Sequence, residues 1–582
     1  MKPCAAILAL TGAFLSGAGV EALAWTQPAR ARNGMVVSQE ANASRVGLGV
    51  LREGGNAVDA VVATAFALAV THPRAGNIGG GGFLLYRPAS GQPVVYDFRE
   101  TAPAAATPEM FLKDGGYDAS LHHDSFLSVG VPGTVAGLYM AWKENGKLPW
   151  KRLVEPAVRL ARRGFELTEW QCRSIREVLP QMRAYPASMA QFTKNGSPYE
   201  AGDLLRQPEL ARTLQRIASA GPAGFYDGET AALIEKEMKR GGGLITLEDL
   251  KSYRAVKRQP LRGTYRGYEV LAVPPPSSGG AVLIEILNLL EGYHLGFEAS
   301  GGPGSAPGSR LSAALEGPGS AAMVHVTVEA MRRAFADRAQ FLGDPDFNPL
   351  MPVERLTSKS YAARLRHSIR LDKASSSSPT RFEWPPEGEE TTHISVVDSS
   401  RAAVALTTTL EQGYGSGIVV SGAGFLLNNE MGDFNAGPGL TDAEGLIGTH
   451  PNLAAPGKRM LSSMAPTILT REGKLSLVAG SLGGRSIIST VLLTILNVVD
   501  FGMNVQEAVD APRFHHQWLP DSINVERWGL SPDTAALLQV QGHALNVVAS
   551  QGVAQAIAYD PAANILEGAW DRRDPDGAAA GM

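Results

Sequence analysis

Two threonines, Thr391 and Thr392, begin a strand-like segment directly after a polar, proline-bearing stretch at residues 374–390. A threonine that becomes a chain terminus has a free α-amine beside its own hydroxyl group. The reference pKa of such an amine is about 7.7–8.0, so a useful fraction is unprotonated near neutral pH and can act as a general base. On residue type alone, β-propensity is the ordinary explanation of a threonine pair. The abrupt change from linker to strand makes nucleophilic chemistry the second interpretation.

A glycine pair lies between a predicted strand and a predicted helix farther along the chain. The segment 474–480 has a strand pattern, Gly483 and Gly484 follow it, and a helical pattern then ends at Gly502. The first N–H groups of a helix have no partner inside the helix, so this arrangement favours binding of an anion or oxyanion.

Other catalytic patterns are missing from the sequence. No serine has glycine two residues away on both sides, and there is no HExxH motif or paired CxxC motif. We therefore expect neither a metal nor a cofactor. The run Gly79–Gly82 is not followed by Lys-Ser/Thr, and a strand follows where a phosphate-binding loop needs a helix. Close packing of backbone against backbone is the favoured explanation of this run.

The composition excludes some classes of protein. The chain has 582 residues, of which 44% are hydrophobic and 19% are charged, and its formal net charge is -4. These values support a sizeable core, and they argue against disorder throughout the chain and against a nucleic-acid partner. Length alone suggests about four domains.

Residues 1–24 have the pattern of a signal peptide, with Lys2, an apolar run and the small residues of Ala22-Leu23-Ala24. The run is shorter than the roughly 20 residues that a spanning helix needs. We expect an exported protein, periplasmic or secreted, without a membrane span after the signal is removed. Cys172 then remains as a single thiol, so no internal disulfide is possible.

The rest of the chain contains regular elements and one interruption. A buried helix is predicted at residues 56–70, beginning at the N-cap Asn56. The Gly/Ser/Pro-rich residues 297–320 read as an insertion. Strands are predicted at residues 391–398, 402–410, 424–429, 466–470 and 474–480. The first two of these strands are expected to form a hairpin.

Dense motifs, in order from about residue 34 to about residue 530, resemble those of γ-glutamyltransferases. They are GMVVSQEANAS, GGNAVDAVVATAFALAVTHPRAGNIGGGGF, DFRETAP, GVPGTVAG, PPPSSGG, EAMRRAFADRAQFLGDPDF, TTHISVVD, LLNNEMGDF, KRMLSSMAPTI and APRFHHQW. The resemblance implies an α+β N-terminal nucleophile hydrolase, an αββα sandwich made as one precursor. It implies self-cleavage between Glu390 and Thr391, giving a large subunit (25–390) and a small subunit (391–582). On this view the chain is one oversized unit rather than four domains.

The same resemblance assigns the catalytic groups. Thr391 is similar to the family's nucleophile, and Thr409 is similar to the threonine that hydrogen-bonds to it. Gly483 and Gly484 match the pair of residues that binds the oxyanion, in agreement with the position of this pair before a predicted helix.

The substrate-binding residues are implied in the same way. Arg99 matches the arginine that holds the substrate α-carboxylate, and Ser462 and Ser463 match the hydroxyl groups that assist it. Glu430 and Asp433 match the acceptors for the α-ammonium group. A cation for the carboxylate, acids for the ammonium and a nucleophile farther along describe a γ-glutamyl donor.

Two residues depart from the family pattern. Glu411 stands where asparagine is common, and Glu444, in the segment 438–449, stands where an aromatic residue is common. In similar enzymes these two residues hydrogen-bond to close a lid over the donor. Two carboxylates at close range repel unless one is protonated, so the lid is expected to be open or differently latched. With Glu430 and Asp433, Glu411 would make three acids around one ammonium, which strengthens donor binding or raises the pKa of one acid.

The resemblance implies an enzyme that cleaves γ-glutamyl amides such as glutathione and passes the γ-glutamyl group to water, an amino acid or a peptide. The expected partners are therefore a small-molecule donor, an amine acceptor or water, and the two subunits themselves. A related glutaryl or cephalosporin acylase is the alternative within the class. A non-catalytic binding relative is the alternative outside it.

Overall fold

The computed structural model describes residues 26–296, 317–377, 390–439 and 449–582. The predicted signal peptide 1–24, most of the insertion 297–320 and Glu444 lie outside the described residues. No helix in the described ranges is both long and apolar enough to cross a membrane.

The described residues form 21 strands and 18 α-helices. The strands are β1 (Ala29–Ala31), β2 (Met35–Ser38), β3 (Gly81–Arg87), β4 (Val94–Asp97), β5 (Leu112–Lys113), β6 (Gly116–Tyr117), β7 (Phe165–Glu166), β8 (Leu204–Leu205), β9 (Val256–Arg258), β10 (Leu261–Tyr265), β11 (Tyr268–Ala272), β12 (Glu390–Val397), β13 (Ala403–Glu411), β14 (Thr467–Arg471), β15 (Lys474–Leu482), β16 (Phe514–His515), β17 (Ile523–Glu526), β18 (Leu545–Val548), β19 (Val553–Asp560), β20 (Ile565–Trp570) and β21 (Ala578–Gly581). The helices are α1 (Ala41–Arg52), α2 (Ala57–Thr71), α3 (Ala119–His123), α4 (Thr134–Asn145), α5 (Trp150–Arg163), α6 (Glu169–Met182), α7 (Pro186–Phe192), α8 (Pro208–Ala220), α9 (Ala223–Tyr226), α10 (Gly228–Gly241), α11 (Leu247–Ser252), α12 (Gly279–Leu290), α13 (Ala321–Phe341), α14 (Val353–Leu356), α15 (Lys359–Arg366), α16 (Ser486–Val499), α17 (Val505–Asp510) and α18 (Pro532–Val540).

Two antiparallel sheets form the centre of the fold. The first sheet has the order β21-β2-β12-β13-β3-β4-β9, and the second has the order β1-β20-β19-β15-β14-β11-β10. Each sheet combines strands from before and after the Glu390–Thr391 bond. The chain on the two sides of this bond therefore shares both sheets.

Side-chain alternation along the strands explains the layers. In β3, Phe83 and Leu85 belong to the core between the two sheets, whereas Leu84 packs into the core beneath the helices. Alternate strand residues point to opposite faces, so a strand buried on both sides is apolar throughout. Helices α2 and α5 cover the first sheet, and α12, α13 and α16 cover the second. The result is a helix–sheet–sheet–helix arrangement.

Most of the predicted elements agree with the structure. Asn56 caps α2 through a capping box with Asp59, and α2 is buried along its whole length. The predicted hairpin is β12 and β13, paired from Thr391↔Thr409 to Val397↔Ala403. Helix α16 ends at Val499, slightly before Gly502, which has a φ of +65°.

The strand predicted at 424–429 is wrong. The segment contains only an isolated bridge, Val419↔Leu426, and continues into a 3₁₀ turn at Glu430–Asp433. Gly424 has a φ of +73°, and the Asn428 side chain donates to the carbonyl oxygens of Gly79 (2.7 Å) and Gly130 (2.8 Å). These side-chain bonds replace a strand ladder.

Candidate active site

Thr391 lies near the start of β12, where its hydroxyl group faces that of Thr409 on β13. The Thr391 Oγ1 donates to Thr409 Oγ1 over 3.4 Å, and Thr409 Oγ1 donates to the carbonyl oxygen of Glu390 over 2.6 Å. The Glu411 N–H donates to Thr409 Oγ1 at 2.9 Å. The Thr409 hydroxyl therefore links the Thr391 hydroxyl to the carbonyl group of the bond that precedes Thr391.

The glycine run next to this hairpin lets β3 approach it closely. A Cβ atom on Gly80 would lie 2.0 Å from the carbonyl oxygen of Thr409, and one on Gly82 would lie 2.2 Å from that of Thr407. The Asn77 side chain also donates to the Thr409 carbonyl oxygen at 2.8 Å. Close backbone packing, predicted for this run, is confirmed.

A small pocket contains most of the predicted site residues. It is lined by Arg99, Thr391, Thr409, Glu411, Glu430, Asp433, Ser462, Ser463, Met464, Gly484 and Ile487. Glu390 and Gly483 instead line a larger neighbouring cleft of about 680 Å³. Consecutive residues, Glu390 with Thr391 and Gly483 with Gly484, thus face two different cavities.

Arg99 is fully buried and surrounded by carboxylates. Its guanidinium forms ion pairs with Glu430 and Asp433 and lies 3.4 Å from the Glu100 carboxylate. Its Nε donates to the carbonyl oxygen of Met460 at 3.3 Å. Arginine suits such a site because its planar fork serves several oxygens at once. The predicted carboxylate-binding group thus contacts both predicted ammonium acceptors.

Burial, together with the excess of acids around Arg99, raises the pKa values of Glu100 and Glu430. Burial raises the pKa of Glu100 to about 8; Arg99 opposes this shift, and the charges of Asp433 and Asp97 add to it. Burial also raises the pKa of Glu430 well above its ordinary value, again against Arg99, with Glu100, Asp433 and Glu411 adding to the shift. The direction of both shifts is that expected if one acid of this group has a raised pKa, and stronger donor binding stays a prediction.

Glu411 has a partner that the sequence did not predict. Its Oε1 lies 3.5 Å from Nδ1 of His123, which ends α3. Burial acts to lower the pKa of His123, but the hydrogen bond and charge of Glu411 and the charge of Asp433 outweigh it, so the pKa is raised. In the sequence, only the adjacent histidines at 122–123 indicate that a titratable partner of Glu411 could lie here. Glu444 lies outside the described residues, so the lid stays a prediction.

Ser462 and Ser463 accept hydrogen bonds from two residues that precede Glu390 in the chain, Ser278 and Arg338. Ser278 donates to the carbonyl oxygen of Ser462 through both its N–H (2.8 Å) and its hydroxyl group (2.7 Å). The buried Arg338 on α13 donates to the hydroxyl oxygens of Ser463 (2.9 Å) and Ser278 (2.7 Å). Arg338 is not among the predicted site residues, although it lies in one of the matching motifs. Its hydrogen bonds orient the serine hydroxyl groups.

Gly483 and Gly484 join β15 to α16, as the sequence predicts. Their φ angles are +128° and +52°, values that side chains with a Cβ rarely adopt, and α16 begins at Ser486. The pair thus lies just before a helix N-terminus, and Gly484 lines the same pocket as Thr391. Among the described residues, no cluster of three or more histidine, cysteine or acidic side chains could hold a metal ion.

Comparisons with known proteins agree with this geometry. The family model described as γ-glutamyltranspeptidase matches residues 43–581. The glutathione hydrolase proenzyme of Escherichia coli (strain K12) is 46% identical over 561 residues, which cover 95% of this chain and 93% of that protein.

Two solved structures extend the comparison. The cephalosporin acylase from Bacillus halodurans superposes with a TM-score of 0.82 at 28% identity, covering 98% of this chain and 99% of that one. The Helicobacter pylori γ-glutamyltranspeptidase structure has a TM-score of 0.53 at 43% identity, covering 57% of this chain and 91% of that one. Fold, pocket and sequence point the same way, and the chain belongs to the γ-glutamyltranspeptidase family.

Proposed function

We propose that this protein is a self-processing γ-glutamyltransferase and glutathione hydrolase. The observation that carries the proposal is the position of the Thr391 hydroxyl, 3.4 Å from Thr409 Oγ1 and in the same pocket as Arg99, Glu430 and Asp433. A nucleophile and a set of charges suited to an α-amino acid thus share one small cavity. The relatives named as glutathione hydrolases support glutathione as a donor.

The ion cluster around Arg99 suits a zwitterionic donor. The α-carboxylate of the donor binds the Arg99 guanidinium, with the hydroxyl groups of Ser462 and Ser463 beside it. The α-ammonium group binds the carboxylates of Glu430 and Asp433, and these contacts replace their ion pairs with Arg99. Because the residues lining the pocket include more carboxyl groups than cations, the ammonium group supplies positive charge that the pocket lacks.

Processing begins with attack of the Thr391 hydroxyl oxygen on the carbonyl carbon of Glu390. The Thr409 hydroxyl donates to the oxygen of that carbonyl and stabilises the negative charge that develops there. As the C–N bond breaks, the Thr391 hydroxyl proton passes to its α-amine, and the acyl group passes to the hydroxyl oxygen as an ester. Water hydrolyses this ester and leaves a Glu390 carboxylate on segment 25–390 and a free Thr391 amine on segment 391–582.

Turnover uses the same hydroxyl group. The free Thr391 amine removes the hydroxyl proton, and the oxygen attacks the donor γ-carbonyl carbon. The N–H groups of Gly483 and Gly484 hold the oxyanion, and the proton passes to the leaving amine as the C–N bond breaks. Water or an acceptor amine then attacks the γ-glutamyl ester and restores the Thr391 hydroxyl.

A related acylase activity is the second candidate, because the structural match to a cephalosporin acylase covers nearly the whole chain. A glutaryl side chain has no ammonium group, so it would leave Glu430 and Asp433 without their new partner. Comparing L-γ-glutamyl-4-nitroanilide with glutaryl-4-nitroanilide separates the two activities. Preference for the glutaryl compound would favour the acylase, and absence of turnover in cleaved protein would favour a non-catalytic relative.

Denaturing electrophoresis tests the processing step. Wild type is expected to run as two bands and Thr391→Ala as one full-length band, with Thr392→Ala as a matched control that still gives two bands. A single band from wild type contradicts the mechanism. Export is a further part of the proposal and rests on the sequence of residues 1–24; it predicts a mature N-terminus close to residue 25.

A further inference from the structure

The large cleft beside the pocket contains an arginine whose acidic partner belongs to the bond that is cut. Arg74 follows α2, its side chain is 30% exposed, and it forms an ion pair with the Glu390 carboxylate. Burial acts to lower the pKa of Arg74, but the charge and hydrogen bond of Glu390 outweigh it and raise the pKa. The ion pair therefore stabilises the charged guanidinium in the uncut chain.

The donor can reach Thr391 only if Glu390 leaves the position that it occupies in the uncut chain. When Glu390 moves away, its carboxylate leaves Arg74, and the cleft loses one negative charge beside the nucleophile. Of the other acids lining the cleft, Glu177 binds Arg173 at 3.0 Å, and Asp574 accepts from the Asp576 N–H at 3.1 Å while its charge also acts on Arg74. Departure of Glu390 thus removes the carboxylate that forms the ion pair with Arg74 and leaves this guanidinium open to another carboxylate in the cleft.

We propose that Arg74 binds the carboxylate of the acceptor or leaving peptide in the cleft, in the position that Glu390 occupies before processing. The inference rests on the proposed function, because it extends the same site. The γ-glutamyl group fills the small pocket, which Thr391 and Gly484 line, so the amine side of the scissile bond faces the cleft that Glu390 and Gly483 line.

The reach and the charge both fit a short peptide. An extended dipeptide spans roughly 7 Å from its amine to its carboxylate. The side-chain carboxylate of a glutamate such as Glu390 lies about as far from its own carbonyl group when the side chain is extended. Guanidinium and carboxylate form two parallel hydrogen bonds, which favours arginine over a point charge at such a site. The site therefore selects acceptors that carry a carboxylate over uncharged amines.

Acceptor kinetics with L-γ-glutamyl-4-nitroanilide as the donor test this inference. The acceptors are glycylglycine and glycylglycinamide, which differ only in the terminal carboxylate, and the transfer product is quantified by chromatography. Wild type is expected to have a kcat/KM about tenfold higher for glycylglycine, the size expected for one charge-assisted contact. Equal use of the two acceptors by wild type overturns the inference without any variant.

Variants assign the preference to Arg74. In Arg74→Gln, confirmed as processed by electrophoresis, the two acceptors are expected to agree within about twofold, through a higher KM for glycylglycine. Arg74→Lys keeps the charge without the fork and is expected to fall between. Arg212→Gln, an exposed arginine on α8 outside the cleft, is the matched control and keeps the wild-type ratio. If the ratio of kcat/KM for the two acceptors in Arg74→Gln equals that of wild type, the inference is overturned. If processed wild type releases no 4-nitroaniline in the absence of acceptor, the proposed function is overturned and the inference with it.

Discussion

The hydroxyl group of Thr409 donates a 2.6 Å hydrogen bond to the carbonyl oxygen of Glu390, the acyl group of the bond that precedes the proposed nucleophile. The same oxygen accepts from the Thr391 hydroxyl group (3.4 Å) and from the Glu411 N–H (2.9 Å). Thr409 is therefore oriented by two donors while its own proton points at the scissile carbonyl. In the proposed mechanism, this hydrogen bond places a donor on the carbonyl group that Thr391 attacks.

Removing that donor is expected to slow processing. In Thr409→Val the scissile carbonyl loses its hydroxyl donor, and the half-time for conversion of precursor to two bands is expected to lengthen roughly a hundredfold, as for one lost oxyanion donor. Thr409→Ser keeps the hydroxyl group and is the control, with a half-time close to wild type. The time course is followed by denaturing electrophoresis. Equal rates for Thr409→Val and wild type would remove Thr409 from the mechanism.

Replacing Arg99 is expected to affect both binding and stability. Arg99→Lys keeps the charge and loses the fork, so kcat/KM for the γ-glutamyl donor is expected to fall about a hundredfold. Arg99→Gln leaves Glu430 and Asp433 buried without their cation, which costs about 3–5 kcal/mol of unfolding free energy.

The double variant Arg99→Gln/Glu430→Gln tests whether the loss of stability comes from unpaired buried acids. Because it removes one of these acids, its unfolding free energy in urea is expected to be higher than that of Arg99→Gln, whereas its kcat/KM for the donor stays as low. Donor kinetics in Arg99→Gln that match wild type would contradict the proposed carboxylate contact.

The His123–Glu411 pair predicts a pH-dependent stability. Because the folded-state pKa of His123 is raised, its contribution is fully present below the unfolded pKa of about 6.5 and is lost as pH rises through the folded-state pKa. The difference in unfolding free energy between wild type and His123→Asn, measured with urea, should therefore be larger at about pH 6 than at about pH 9. When Glu411→Gln removes the partner of His123, the effect of His123→Asn on the unfolding free energy at about pH 6 is expected to be smaller. An effect of His123→Asn that is independent of pH would contradict the pairing.

The close approach of β3 predicts a strong effect at Gly80. Gly80→Ala places a Cβ 2.0 Å from the Thr409 carbonyl oxygen, so β3 and β13 must separate and processing is expected to slow along with a loss of thermal stability. Gly49→Ala is the matched control, since a Cβ there has no neighbour within 4 Å and helix α1 favours alanine over glycine. Normal processing in Gly80→Ala would show that the strand spacing is not needed.

The sequence predicts local elements better than it predicts contacts. Hairpin β12–β13 and helix α2 follow from β-branched runs and from the Asn56 capping box, which act over a few residues. The segment 424–429 is apolar enough for a strand, but the Asn428 side chain bonds to Gly79 and Gly130 and replaces the ladder. Such bonds join residues far apart in the chain, so the pattern around Asn428 does not reveal them.

The site follows the same division. Motif matching identifies Arg99, Glu430 and Asp433, and the structure places all three in one pocket. Their mutual ion pairs depend on burial and distance, which no motif encodes. The contact between Glu411 and His123 is missed for the same reason, because β13 and α3 meet only in the folded chain.

Peptide mapping by mass spectrometry tests the central claim most directly, that Thr391 is the terminal nucleophile carrying the γ-glutamyl group. Purified protein is incubated briefly with glutathione, quenched with acid and digested, with and without glycylglycine as acceptor. The account predicts a peptide that begins at Thr391 and gains the mass of one glutamyl group, which acceptor removes. A chain left uncut between Glu390 and Thr391, or a glutamyl group attached to another residue, would contradict it.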